Sequence, residues 1–236
     1  MRLNCDMGEG MPFDAEIMPL IDMANLACGA HAGDEALMRA NVRLAKKHGV
    51  MIGAHPAYPD RENFGRVSMQ MAPVRLRQLL HEQIGRLEQI CRGEGTPLSY
   101  VKPHGALYND MMRDERIFET IAEAIASYRS DLQLMVLSTP DNGRYRLLSQ
   151  KYGIVLLYEL FADRNYTDQG YLQPRTAQDA VIHDVDRIVE RVVSYQHSGV
   201  LHSIGGKRLQ LAGDSLCVHG DNEASLAVIK ALRDVL

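Results

Sequence analysis

Two short apolar runs in this chain each break into a histidine and then an aspartate: Ala24-Asn-Leu-Ala-Cys-Gly-Ala-His31-Ala-Gly-Asp34 and Gly53-Ala-His55-Pro-Ala-Tyr-Pro-Asp60. Imidazole is the side chain best suited to moving a proton near neutral pH. A lone histidine here would read as a hydrogen-bonded structural residue. Two at matching positions, each beside small residues (Ala30 and Ala32, Ala54 and Pro56), point instead to a site with room for a ligand. Val101-Lys102-Pro103-His104-Gly105 adds an ammonium and a third imidazole, and Pro103 and Gly105 restrict the turn that aims them. Lys102 can hold a carboxylate or phosphoryl oxygen as a compact charge while His104 gives or takes a proton. A solvated surface lysine is the plainer alternative.

Carboxylates accompany these cations. Asn4 and Asp6 alternate with Leu3 and Cys5, so on a strand both polar side chains share one face, which in a small barrel can be the interior near the rim. Asp6 can equally begin the turn Asp-Met-Gly-Glu-Gly, and Glu9 reads as part of that turn. Asp34 precedes the helical run Glu35–Lys47 and suits either a site or an N-cap. Glu159, Asp163 and Arg164 close the apolar run Ile154–Ala162, where an unpaired carboxylate costs several kcal/mol. Arg164 can pair with Asp163 or read a substrate carboxylate with its planar fork. His219, in Cys217-Val-His-Gly-Asp221, is a further candidate ligand, with Asp221 as a helix cap. Asp6, His31 and His55 could together hold a divalent metal with an open position for water. No H-x-x-x-H or H-E-x-x-H spacing supports this locally, and a protein-bound metal stays open. The chain lacks a phosphate loop, a G-x-G-x-x-G turn and a G-x-S-x-G elbow, so neither nucleotide phosphates nor a serine nucleophile has an evident home.

Seven β-rich runs deliver these residues: Leu3–Cys5, Asn25–Cys28, Val50–Ala54, Leu98–Lys102, Gln133–Leu137, Ile154–Leu160 and Ser215–His219. Amphipathic helical patterns separate most of them. Leu76, Leu80, Ile84, Leu87 and Cys91 make one apolar face, as do Ile117, Ile121 and Ile125, or Val181, Val185, Ile188 and Val192, or Leu226, Ile229 and Leu232. Strands alternating with helices imply parallel pairing. Polar strand ends spread from the first element to the last favour a closed barrel over an open sheet, which gathers its site at one switch point. The expected fold is α/β, a seven-stranded (β/α) barrel forming a single domain over 1–236. Val200–Leu211 carries two alternating runs around Gly205-Gly206 and predicts a hairpin covering one end of the barrel.

The 236 residues, 46% hydrophobic, suit one barrel, and 26 basic against 30 acidic residues with no long like-charge block disfavour nucleic acid and anionic membranes as partners. The start, Met1-Arg-Leu-Asn-Cys-Asp-Met-Gly, has no apolar signal region, and no run approaches the ~20 apolar residues of a membrane span. A cytoplasmic protein is expected. Its four cysteines form no C-x-x-C pair and read mainly as reduced core residues.

Six ordered motifs closely resemble the LamB/YcsF family: Leu3-Asn-Cys-Asp-Met-Gly-Glu9, Ala24–Asp34, Ile52–Asp60 with Phe64-Gly-Arg66, Val101–Asn109, Phe161–Tyr166 and Cys217–Asn222. The chain departs from the family pattern at Ala30, Ala57, Val67 and Asp179. The resemblance implies a distorted TIM-like (β/α)7 barrel of the glycoside hydrolase/deacetylase kind. It implies the A subunit of ATP-dependent 5-oxoprolinase, which acts with B and C subunits to open 5-oxo-L-proline to L-glutamate. ATP, with Mg²⁺, would be the co-substrate of the assembled enzyme and would be handled by the partner subunits. Homo-oligomerisation is compatible with this reading. Asp6, His31, His55 and His104 are then the catalytic candidates, with Asn4, Asp34, Lys102, Glu159, Asp163, Arg164 and His219 toward substrate. The rival reading is a metal-dependent deacetylase or amidohydrolase acting on a small amide or carbohydrate.

Overall fold

The period-2 and period-3.6 patterns resolve, in a computed structural model describing residues 1–218 and 223–236, into strands β1 (Arg2–Met7), β2 (Met23–Ala27), β3 (Met51–His55), β4 (Leu98–Val101), β5 (Gln133–Leu137), β6 (Leu156–Phe161), β7 (Val200–His202), β8 (Arg208–Gln210) and β9 (Ser215–Cys217). The helices are α1 (Asp14–Ile17), α2 (Glu35–His48), α3 (Pro73–Glu94), α4 (Gly105–Arg113), α5 (Glu115–Tyr128), α6 (Gly143–Lys151), α7 (Val185–Ser198) and α8 (Glu223–Val235). Strands β1 to β6 and β9 close a parallel barrel, β9 pairing with both β6 and β1.

Alternation along each strand decides what lies inside. Leu3, Cys5 and Met7 belong to the layer between strands and helices, together with the faces of α2, α3, α5 and α8. Inside, a separate apolar plug of Met23, Tyr100, Met135 and Leu157 fills the lower barrel. Gly53 makes this possible, because a Cβ there would stand 2.1 Å from the Tyr100 ring. The Tyr100 hydroxyl donates to Asn25 Oδ1 at 2.7 Å, and Asn25 Nδ2 donates to both Asn4 and Asp6 at 2.8 Å. The plug thus ends in a polar layer, and the charged residues stand above it at the C-terminal mouth.

Two local readings shift, and one element is new. Val181 lies before α7, in an isolated bridge with Arg164, because Asp184 caps that helix by accepting from Arg187 N. The last strand ends at Cys217, and His219 and Asp221 lie outside the described residues. A short helix, α4, follows β4 directly and carries Tyr108 into the barrel mouth. The Val200–Leu211 hairpin forms as β7 and β8. It packs on α7 and the loop after β6, where Ile204 N donates to Tyr166 O and Ser203 Oγ to Asp168. All four cysteines are buried and form no disulfide, and no helix among the described residues is long and apolar enough to cross a membrane.

Candidate active site

Three imidazoles meet at the mouth because each leaves a different strand at the same height. His55 ends β3, His31 follows β2, and His104 follows β4 as the residue before α4. All three are buried. The rings of His31 and His104 stack with centroids 3.8 Å apart and planes 4° from parallel, while His55 stands edge-on to both. His55 Nε2 and His104 Nδ1 are 2.9 Å apart. The outer nitrogens are held by backbone carbonyls: His55 Nδ1 donates to Lys102 O at 2.7 Å and His104 Nε2 to Phe64 O at 2.9 Å.

That last acceptor comes from an unusual turn. Phe64 has φ of 57° and Gly65 φ of 65°, both left-handed, which costs a β-carbon-bearing residue about 1–2 kcal/mol. The turn is pressed onto the imidazoles, since a Cβ on Gly65 would stand 3.0 Å from both His104 Cδ2 and His31 Cβ.

Glu9 is the residue the sequence hides. It lies in the turn after β1, yet its Oε1 stands 2.9 Å from His31 Nε2, 3.4 Å from His104 Nδ1 and 4.0 Å from His55 Nε2. The turn composition that argues for backbone geometry carries no mark of this pairing across 22 residues.

Asp6 sits within β1 and faces the interior, so it is not a turn residue. Its Oδ1 accepts from Lys102 Nζ at 2.9 Å and from Asn25, and its Oδ2 is 3.4 Å from His55 Nε2. Lys102 is buried rather than a surface lysine, with Glu159 Oε1 2.8 Å away on its other side and Phe161 beneath it at 5.4 Å. Glu159 also accepts from the Tyr108 hydroxyl at 2.8 Å. Asn4, which donates to Ser215 Oγ, supports this ring from below. Asn25, Tyr100, Tyr108 and Cys217 join it as well, none of them picked out as a site residue by the sequence.

Arg164 is buried and donates through Nε to Ala180 O at 3.1 Å and through Nη2 to Gln173 O at 2.5 Å. It thereby ties down the long loop between β6 and α7. Asp163 is buried beside it. Asp34 is exposed and caps α2, its Oδ1 accepting from Leu37 N at 2.8 Å. It does not line the cavity that opens over the histidines.

That cavity, of about 700 Å³, is lined by Asp6, Glu9, His55, Lys102 and His104 and by Arg66, Arg113, Arg164 and Arg175, among others. His31 stands behind the wall. Burial, then the neighbouring His55 charge, lowers His31 to about 3 and pushes His104 well below the ordinary histidine range, so both are neutral at pH 7. Burial works against the Lys102 ammonium, but the opposing field led by Asp6 wins and holds it well above the usual lysine range. Burial and then the nearby Arg175 lower Arg164 to about 10. The cavity therefore brings imidazoles, carboxylates and guanidinium groups around one space, a setting for proton transfer on an anionic substrate.

Fold and site together define a closed (β/α)7 barrel with a histidine–carboxylate centre at the C-terminal mouth, where barrel enzymes build their chemistry. The chain belongs to the LamB/YcsF family, whose family model matches residues 1–236. It is 51% identical to a 5-oxoprolinase A subunit of Pseudomonas putida, the second so named there, covering 100% of this chain and 93% of the relative. It is 48% identical to the third such A subunit of Pseudomonas aeruginosa, covering 99% and 95%. Among solved structures, the "Lactam Utilization Protein" of Thermus thermophilus superposes with a TM-score of 0.90 at 36% identity, covering 100% of this chain and 95% of that one.

Proposed function

We propose that this chain is the A subunit of an ATP-dependent 5-oxoprolinase and hydrolyses the activated lactam of 5-oxo-L-proline at the barrel mouth. The observation that carries the reading is full-length similarity, at 51% and 48% identity, to relatives named for that role. The site's chemistry supports it. A five-membered lactam with a carboxylate is a small anion, and Arg164 and Arg175 line the same cavity as His55 and His104. Lys102 is not the substrate's partner in this reading. Its charge is already matched by Asp6 and Glu159, and it positions Asp6.

Partner B and C subunits, using ATP and Mg²⁺, transfer a phosphoryl group to the lactam oxygen. Asp6 Oδ2, facing the cavity beside His55, then takes a proton from water as the water oxygen bonds to the ring carbon. The added hydroxyl then gives up its remaining proton as it becomes the acyl carbonyl, the carbon–nitrogen bond breaks, the nitrogen leaves as an amine protonated by that proton and the one held on Asp6, and γ-glutamyl phosphate forms. A second water releases phosphate and leaves glutamate. Placement of a general base contributes about 10²–10⁴-fold, and the guanidinium groups lining the cavity hold the phosphoryl and carboxylate oxygens as charge moves.

The test is glutamate formation from 5-oxoproline, ATP and Mg²⁺ with the matching B and C subunits. Glutamate should appear only when this chain is present, and Asp6→Asn should lower turnover by at least about 100-fold while the complex still assembles. Full turnover without this chain, or with Asp6→Asn, would overturn the reading.

A further inference from the structure

His55 Nδ1 and His104 Nε2 both point at backbone carbonyls, and a carbonyl only accepts, so both nitrogens carry hydrogen. In neutral rings the remaining nitrogens, His55 Nε2 and His104 Nδ1, are then bare lone pairs, and they face each other at 2.9 Å. Two acceptors do not approach that closely without a cation between or beside them. Glu9 Oε1, a third acceptor, stands 3.4 Å from His104 Nδ1. Behind it, His31 reaches Glu9 through Nε2, and its buried Nδ1 has no hydrogen-bond partner. A polar cluster buried with its acceptors facing one another is costly as it stands.

We propose that Glu9, His31, His55 and His104 form a binding site for one divalent transition-metal ion of the zinc class. One ligand atom from each lies within 4.8 Å of the others. A tetrahedral ion with bonds of about 2.0–2.1 Å sets its ligand atoms about 3.3 Å apart. The contacts of 2.9, 3.4 and 4.0 Å among His55, His104 and Glu9 bracket that spacing, and His31 Nε2, 2.9 Å from Glu9 Oε1, completes a set of four atoms within 4.8 Å that closes by small side-chain shifts.

Three further features fit an ion better than a shared proton. The carbonyls of Lys102 and Phe64 fix the tautomers and aim the rings, the arrangement that ligating histidines usually show. The left-handed Phe64–Gly65 turn holds one of those carbonyls at a cost in strain. Finally, carboxylate oxygens of Asp6 and Glu9 stand 3.4 and 4.0 Å from His55 Nε2, a negative field that favours a dication at that point. A proton would join only the two facing nitrogens. Three imidazoles and one carboxylate suit zinc or cobalt rather than magnesium or calcium. Bound there, the ion would lend Lewis acidity to the cavity wall beside Asp6.

The inference does not depend on the substrate's identity, and binding can be read without turnover. The full chain is stripped with chelator, dialysed, and titrated with Zn²⁺ by calorimetry and with Co²⁺ by visible absorption. One ion per chain is expected, with cobalt bands of a nitrogen- and oxygen-ligated centre and a rise in Tm. His104→Ala and Glu9→Gln should each weaken binding by more than about 100-fold, beyond the loss typical of a change behind the ligands. Glu9→Gln preserves size should the alanine variant fail to fold. His48→Ala and His197→Ala, both exposed, should leave stoichiometry and affinity unchanged. No uptake by the folded chain, or equal uptake by Glu9→Gln, would overturn the proposal and leave a shared proton between His55 and His104.

Discussion

Replacing Lys102 with methionine keeps most of the side chain's length and removes its ammonium from the barrel mouth. Lys102 is buried with Asp6 Oδ1 at 2.9 Å and Glu159 Oε1 at 2.8 Å. At an effective dielectric of about 20, each contact is worth about 6 kcal/mol of Coulomb attraction. Desolvation of three charged groups returns much of it, and breaking such a pair from one side costs about 3–5 kcal/mol, because the carboxylates stay buried without the ammonium. For a chain of this size that is a fall in Tm of about 6–20 °C. The sign with pH follows. In wild type the ammonium's raised pKa leaves its contribution intact across the neutral range, fading only as pH rises through that raised value. The variant's deficit should therefore persist across the neutral range and shrink only at high pH, where wild type too loses the ammonium. Urea unfolding at several pH values measures this. Adding Glu159→Gln, whose carbonyl can still accept from Tyr108, should recover roughly half the loss. A single variant within about 1 kcal/mol of wild type, or a double variant no more stable than the single, would refute the pairing.

In chelator-treated protein, His31 is about 3 when folded against 6.5 ordinarily, so stability is full above pH 6.5 and lost as pH falls toward 3. At pH 5.5 the loss is about 1.4 kcal/mol for that imidazole, with His104 adding in the same direction. Chemical unfolding should show it, and a flat profile, or an undiminished loss in His31→Asn, would contradict the assignment. Gly105→Ala places a Cβ 2.6 Å from Gly65 O at a φ of 55°. It should cost about 2 kcal/mol or more and displace His104, read as lost stability together with lost turnover. Asp34→Ala should cost about 1 kcal/mol as a lost N-cap and leave glutamate formation unchanged, whereas a fall in turnover greater than the fall in folded protein would return Asp34 to the site.

Much of this architecture is legible residue by residue. Apolar periods of two and near 3.6 mark the seven strands and most of the helices. Strand ends rich in His, Asp and Lys announce a closed barrel with its chemistry at one rim, because these signals are local and repeat along the chain. His31, His55 and His104 stand out for the same reason, each punctuating its own strand.

What the linear order does not contain is who faces whom. Glu9 meets His31 from 22 residues away, Lys102 is buried between Asp6 and Glu159 rather than set on the surface, and Phe64 bends left-handed to receive His104. The first and last join neighbouring strand ends, while the Lys102 pairs depend on β9 joining β6 to β1 in one ring, since closure brings charges distant in sequence to 2.9 Å and 2.8 Å. Residue types and the strand-end positions are properties of the chain, while burial, tautomer and charge state are properties of that ring.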